Sequence, residues 1–235
     1  MKTAKEQVLK LIKAMIADGI ILPQDLVRFI PKKVDSYDPE IVRQEMEDWY
    51  NNLGIESIIG HKLSLSPCPF SRKEIDQTIQ NNEIILCQPK ALTKKQIGQL
   101  LRMECWALDD PSVNSVGVKQ DYDFWCKTQA ALEPPMEFRG LNAEKIRRIF
   151  ADEGKIGFTL ELYLIFIARM RYLRSEIPDK RWWIWLLNTT YDASGYLIAG
   201  FDSKANFNVH SWMPKFSAKF VGARYLSLPK KRIVY

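Results

Sequence analysis

Asp192 and the triplet Asp202-Ser203-Lys204, separated by nine residues, are the residue types that a phosphodiester-cleaving metal centre needs. Two carboxylates would converge on Mg²⁺, and a lysine would steady the attacking hydroxide and the phosphate oxygens. Strand alternation puts Asp202 and Lys204 on one face, and Glu161, upstream on a helix, supplies a further carboxylate. Other chemistries find fewer materials. With only His61 and His210, a Ser-His-Asp or Cys-His scheme has little to draw on. Gly154-Lys155-Ile156-Gly157 lacks the spacing of a phosphate-cradling loop. Asp109-Asp110 and Asp121-Tyr122-Asp123 lack the glycine and closing glutamate of a calcium loop. Cys68, Cys87, Cys105 and Cys126 lie about twenty residues apart, without the close pairing of zinc ligands, and read as free thiols.

The end of the chain offers a second chemistry. Between Trp182 and Tyr235 lie twelve of the 27 aromatic residues and seven Lys/Arg, against two acids, Asp192 and Asp202. Residues 161–235 carry twelve Lys/Arg and five Asp/Glu, so the net charge of +6 is concentrated there. Lysine and arginine neutralise phosphates, and bases stack on exposed rings. Trp212, Phe216, Phe220 and Tyr225, interleaved with Lys215, Lys219 and Arg224, suit a single-stranded nucleic acid, and Lys230-Lys231-Arg232 could clamp a further phosphate. The same rings also fit a sheet core, above all Trp183, Trp185, Leu187, Tyr196 and Ile198.

The first set resembles the restriction-endonuclease-like nucleases, in which an Asp is followed on the adjacent strand by an acidic residue, any residue, and lysine. That likeness implies Asp192 and Asp202 as Mg²⁺ ligands, Lys204 as the catalytic cation and Glu161 as an accessory acid. The chain departs from the pattern in having Tyr191 where the family has proline. Asp192-Ala193-Ser194-Gly195 also reads as a hairpin turn, where Asp and Gly have backbone reasons to occur.

Positioning falls to elements legible from periodicity and punctuation. Residues 4–17 and 24–31 have helical spacing, and Asp38-Pro39 opens a third helix that runs to Gly54. Residues 55–59 and 62–66 read as two strands around a turn. Three helices followed by a hairpin resembles a winged helix over residues 1–66. The third helix is acidic, with Asp38, Glu40, Glu45, Glu47 and Asp48 against Arg43, which suits a protein partner better than a phosphate backbone. Pro67-Cys68-Pro69-Phe70 reads as a linker. Beyond it come helices capped by Ser71 and Thr93, further helices beginning at Asn142 and Thr159, strands at 83–87 and 122–128, a loop over 109–122, and the aromatic strand-turn-strand that begins at Trp182.

The expected protein is α+β: a winged-helix-like module at 1–66, then a mixed domain at 71–235 ending in an antiparallel sheet packed on helices. Its expected role is binding: a non-enzymatic accessory protein of a larger assembly, touching protein through the acidic module and nucleic acid through Trp212, Lys215, Lys219, Arg224, Lys230, Lys231 and Arg232, with no cofactor. The alternatives are an Mg²⁺-dependent nuclease and a purely structural interaction subunit. The opening residues lack the uninterrupted apolar stretch of a secretory signal, and no run reaches the ~20 apolar residues of a membrane span. A cytoplasmic location is therefore expected.

Overall fold

The computed structural model describes residues 38–117, 121–192 and 195–230. The contacts divide the chain between Ser36 and Tyr37. The helices expected over 4–17 and 24–31 lie outside the described residues. What is described mixes helix and sheet, an α+β architecture.

In chain order the helices are α1 (Pro39–Asn52), α2 (Glu56–Ile59), α3 (Arg72–Gln80), α4 (Lys94–Leu101), α5 (Ala143–Asp152) and α6 (Leu160–Arg174). The strands are β1 (Glu83–Gln88), β2 (Val113–Ser115), β3 (Phe124–Gln129), β4 (Ile156–Gly157), β5 (Trp183–Tyr191), β6 (Gly195–Phe201), β7 (Phe207–Trp212), β8 (Val221–Ala223) and β9 (Tyr225–Leu226). Each longer helix starts on a side-chain cap: Asp38 accepts from Glu40 N, Asn142 from Lys145 N and Thr159 from Leu162 N. Ser71 with Glu74 and Thr93 with Gln96 form complete capping boxes.

The main sheet runs β2-β5-β6-β7, all antiparallel, and β8 lies parallel to β5. Along the edge of β5 opposite β6, β8 takes Trp183–Trp185 and β2 takes Thr189–Tyr191. The sheet is therefore mixed, where the sequence suggests a purely antiparallel one, because residues 213–220 carry the chain across before β8. β1–β3 and β4–β9 are separate antiparallel pairs.

Alternation along β5 and β6 divides the interior in two. Ile184, Leu186, Leu197 and Ala199 face the larger core, built around α6, in which every residue from Leu160 to Ile167 is buried. A helix apolar on all sides belongs at the centre of a core. Trp185, Leu187 and Ile198 face the opposite way, into a smaller core closed by Ala143, Ile146 and Phe150 of α5. The rings of the aromatic hairpin are thus largely structural.

Residues 55–66 do not form the expected hairpin. Glu56–Ile59 is one helical turn ended by Gly60 at φ +81°, and the stretch that follows pairs with no strand. Leu63 and Leu65 are buried between the exposed Lys62, Ser64 and Ser66, which mimics strand alternation. Their backbone donors go instead to side chains: Leu63 N to Asn51, Leu65 N to Glu47 and Ser66 N to Asp123. The expected linker is also packed, with Cys68 and Phe70 buried. Tyr50 of α1 donates to Cys87 O at 2.7 Å and so joins α1 to β1.

Candidate functional site

Asp192 and Asp202 occupy opposite ends of one hairpin. Asp192 follows Tyr191 at the turn, where Tyr191 pairs with Gly195, and Asp202 follows Phe201 at the far end of the seven-residue β6. At about 3.3 Å per residue the strand keeps them some 20 Å apart. Asp202 has local work: it accepts from Lys204 N at 2.8 Å, Asn206 N at 2.9 Å and Asn206 Nδ2 at 3.0 Å. The Asn206 hydrogen bonds hold its carboxyl below the usual range. Lys204 is exposed on the same turn. Glu161 lies elsewhere, buried in the first turn of α6 and accepting from Ser115 Oγ at 2.7 Å. Among the described residues no group of three or more His, Cys, Asp or Glu is placed to hold a metal ion. The Asp192, Asp202, Lys204 and Glu161 constellation is not assembled, because a spacing read as two adjacent strands spans one strand from end to end.

Arg224 is not a surface cation. It is 1% exposed and meets the fully buried Asp179, with Nε 2.7 Å from Oδ2 and Nη2 2.8 Å from Oδ1. Tyr225 is half-buried against Phe138 and Phe150. Trp212, Phe216 and Phe220 of the aromatic-basic set do come together, whereas Lys230 lies apart from them against Glu74. Trp212, at the end of β7, is half-buried with its ring 4.0 Å from Phe216 and 6.2 Å from Phe220, both exposed. Lys215 and Lys219 are exposed between them. Lys230 is exposed, its backbone N–H bound by Glu74. Lys231 and Arg232 lie outside the described residues.

The helix expected after Asn142, to which the sequence assigned no part in binding, completes this face. Glu144 N donates to Pro214 O, so α5 begins against the 213–220 segment. Lys145, Arg147 and Arg148 are exposed on α5, and Arg147 lies 5.3 Å over the Tyr196 ring while donating to its hydroxyl. Tyr196 in turn pairs across the sheet with Trp212. Arg147, Tyr196, Trp212, Phe216 and Phe220 therefore follow one another across a single surface. The signal was present in α5, where Ile146 and Phe150 point inward and the basic residues take the other side.

A second, polar recess surrounds Glu161. A cavity of about 350 Å³ is lined by Gln88, Thr93, Lys94, Val113, Asn114, Ser115 and Glu161. Lys94 Nζ is held by the carbonyls of Asp110 and Val113 at 2.6 and 3.0 Å, and Gln88 Oε1 is buried without a partner. Its lining is rich in acceptors and suits a small polar molecule with hydrogen-bond donors.

The thiols and imidazoles do not form a nucleophilic pair. His210 is exposed on β7 against the Trp183 ring, and His61 is exposed with Nδ1 beside its neighbour's carbonyl. Cys87 and Cys126 are buried on the paired strands β1 and β3, and all four cysteines are free. No helix among the described residues is long and apolar enough to cross a membrane. Comparison of the chain with protein-family models, curated proteins and solved structures gave no match in any of the three.

Proposed function

We propose that the chain is a non-enzymatic binding protein of a larger assembly, and that it takes single-stranded nucleic acid on the face formed by residues 212–220 and α5. The observation that carries this reading is the unbroken run from Arg147 over Tyr196 through Trp212 to Phe216 and Phe220, flanked by Lys145, Lys215 and Lys219. Phe216 and Phe220 are 42% and 48% exposed, enough ring face for a base to cover. The cations stand beside them at the positions a phosphate backbone would follow. Glu144, half-buried, is the acid next to this set on α5.

The acidic face assigned to a protein partner is smaller than its sequence suggests. Glu40 pairs with Arg43, Glu47 is buried against Arg43 and Leu65 N, and Asp38 pairs with Arg72. Glu45 and Asp48 remain exposed on α1 for such a contact.

Titration of a fluorescent single-stranded oligonucleotide at several salt concentrations tests the reading. Affinity should fall as salt rises, and Lys215→Gln and Lys219→Gln should each flatten the logarithmic slope by about 0.7. Phe216→Ala or Phe220→Ala should weaken binding roughly 5- to 150-fold, the loss of ~1–3 kcal/mol of base stacking. Lys62→Gln, remote from this surface in the fold, serves as the control. Salt-independent affinity, or equal losses with Lys62→Gln, overturns the proposal and favours an interaction subunit that does not touch nucleic acid.

A further inference from the structure

Arg169, near the end of α6, is 7% exposed, and its Nε and Nη1 are buried without any hydrogen-bond partner. Its guanidinium lies 5.3 Å from the Trp49 ring and 5.2 Å from the Tyr172 ring, so aromatic rings take up its faces while no carboxylate among the described residues forms an ion pair with it. Burial pushes this group down from the usual arginine range, with Glu45 opposing. Isolated buried cations are among the most expensive groups a fold can hold, and they occur where something else supplies the counter-charge.

Arg169 lines a cavity of about 280 Å³ whose walls include Val42 and Met46 of α1, Ile75 and Ile79 of α3, and Ile85 of β1. Two carboxylates also border it. Glu83 is taken by Lys127 at 2.6 Å, and Glu45 is exposed and forms no ion pair with Arg169. Ligand pockets run from roughly 300 Å³ upward, so this one falls just below that range and suits only a small ligand. It has an apolar interior and one desolvated cation. We infer that this cavity binds a medium-chain aliphatic carboxylate, its hydrocarbon against the isoleucines and its carboxylate against Arg169. This site is independent of the nucleic-acid face: no residue is shared between them.

Calorimetric titration of the full chain with sodium octanoate tests the inference. Saturable binding at one site is expected, with octanol and octylamine at least tenfold weaker. Arg169→Met should abolish the preference for octanoate without lowering the melting temperature, since it exchanges an unpaired buried charge for an apolar chain of similar length. Ile79→Trp, which fills the cavity from a 45% exposed position, should block binding with Arg169 still in place. Glu45→Gln should tighten binding by removing the nearest like charge. Four results overturn the inference: no saturable octanoate binding, binding unchanged in Arg169→Met or Ile79→Trp, octylamine binding as well as octanoate, or octyl phosphate binding more tightly than octanoate. Should Glu45→Gln destabilise the chain while octanoate fails to bind, Glu45 is the partner Arg169 uses and the cavity has no anionic ligand.

Discussion

Arg224 and Asp179 form a two-point ion pair inside the molecule, 45 residues apart in sequence, with Tyr163 Oη donating to Asp179 at 3.1 Å and Arg224 Nη2 to Ala131 O at 2.8 Å. The pair joins the segment after α6 to the segment after β8, and both residues are sealed from solvent. Breaking such a pair leaves a lone charge in a low-dielectric interior. Asp179→Asn or Arg224→Met alone should therefore lose about 3–5 kcal/mol, while the double change Asp179→Asn with Arg224→Met, which leaves no lone charge and keeps a residue type that tolerates the φ of +56° at position 179, should lose less than the sum of the two. Urea denaturation of the three variants measures this. Oligonucleotide affinity of Arg224→Met, measured below its melting temperature, should match that of the unaltered chain, since Arg224 never reaches the surface.

Acid should weaken the chain through its turns and caps. Asp38 is held below the usual carboxylate range by Glu40 N–H and Arg72, and Asp202 by Asn206. Burial pushes Glu74 up, but bonds from Ser71 and Lys230 outweigh it and hold that group down as well. A depressed folded value means that these groups stabilise fully above the unfolded values, about pH 4, and that the contribution is lost as pH falls through the folded ones. Thermal melts from about pH 6 to about pH 3 should show a declining limb, shallower in Asp202→Asn because that titration is gone. A limb of equal steepness in Asp202→Asn would remove this turn from the account.

The sequence reports local structure well and long-range pairing badly. The caps expected at Asp38, Ser71 and Thr93 are all formed, because a cap and its partner lie within three residues. The aromatic hairpin was legible because alternation is intrinsic to a strand between two cores. Leu63 and Leu65 misled, since alternate burial does not distinguish a laddered strand from an extended segment whose N–H groups find Asn51 and Glu47. The parallel placement of β8 and the burial of Arg224 both depend on partners tens of residues away, which no spacing encodes. The candidate face was half visible: Lys215, Lys219 and the rings announced themselves, whereas Arg147 joined them only through the contact of α5 with Pro214.

The parallel pairing of β8 requires Gly222. A Cβ placed there would sit 2.7 Å from Pro134 Cγ and 3.0 Å from Pro134 Cβ, and the proline ring has no rotamer by which to yield. Gly222→Ala should force β8 away from β5 and cost about 1–3 kcal/mol, the usual range for overpacking. Gly54→Ala makes a useful contrast. Nothing lies within 4 Å of a Cβ there, and its strain comes from a φ of +86° alone. Chemical denaturation should show a loss in both, with backbone hydrogen exchange of Trp183–Trp185 accelerated only in Gly222→Ala.

The four thiols should react in an order set by burial, because the thiolate is the nucleophile and a low-dielectric surrounding disfavours it. Burial pushes Cys87 and Cys126 well above the ordinary thiol range, and Cys68 up to about 11. Cys105 is also raised by burial, but hydrogen bonds from Ala107 and Leu108 oppose the shift, and it alone of the four is half-buried. Under native conditions a disulfide reagent should therefore modify Cys105 first and Cys68 slowly. Cys87 and Cys126 should react only as fast as the β1–β3 pair opens, which makes them a clock for that part of the core. Mass-spectrometric mapping of the modified positions over time checks the order, and early labelling of Cys126 would mean that β1 and β3 separate far more readily than their buried, six-residue register implies.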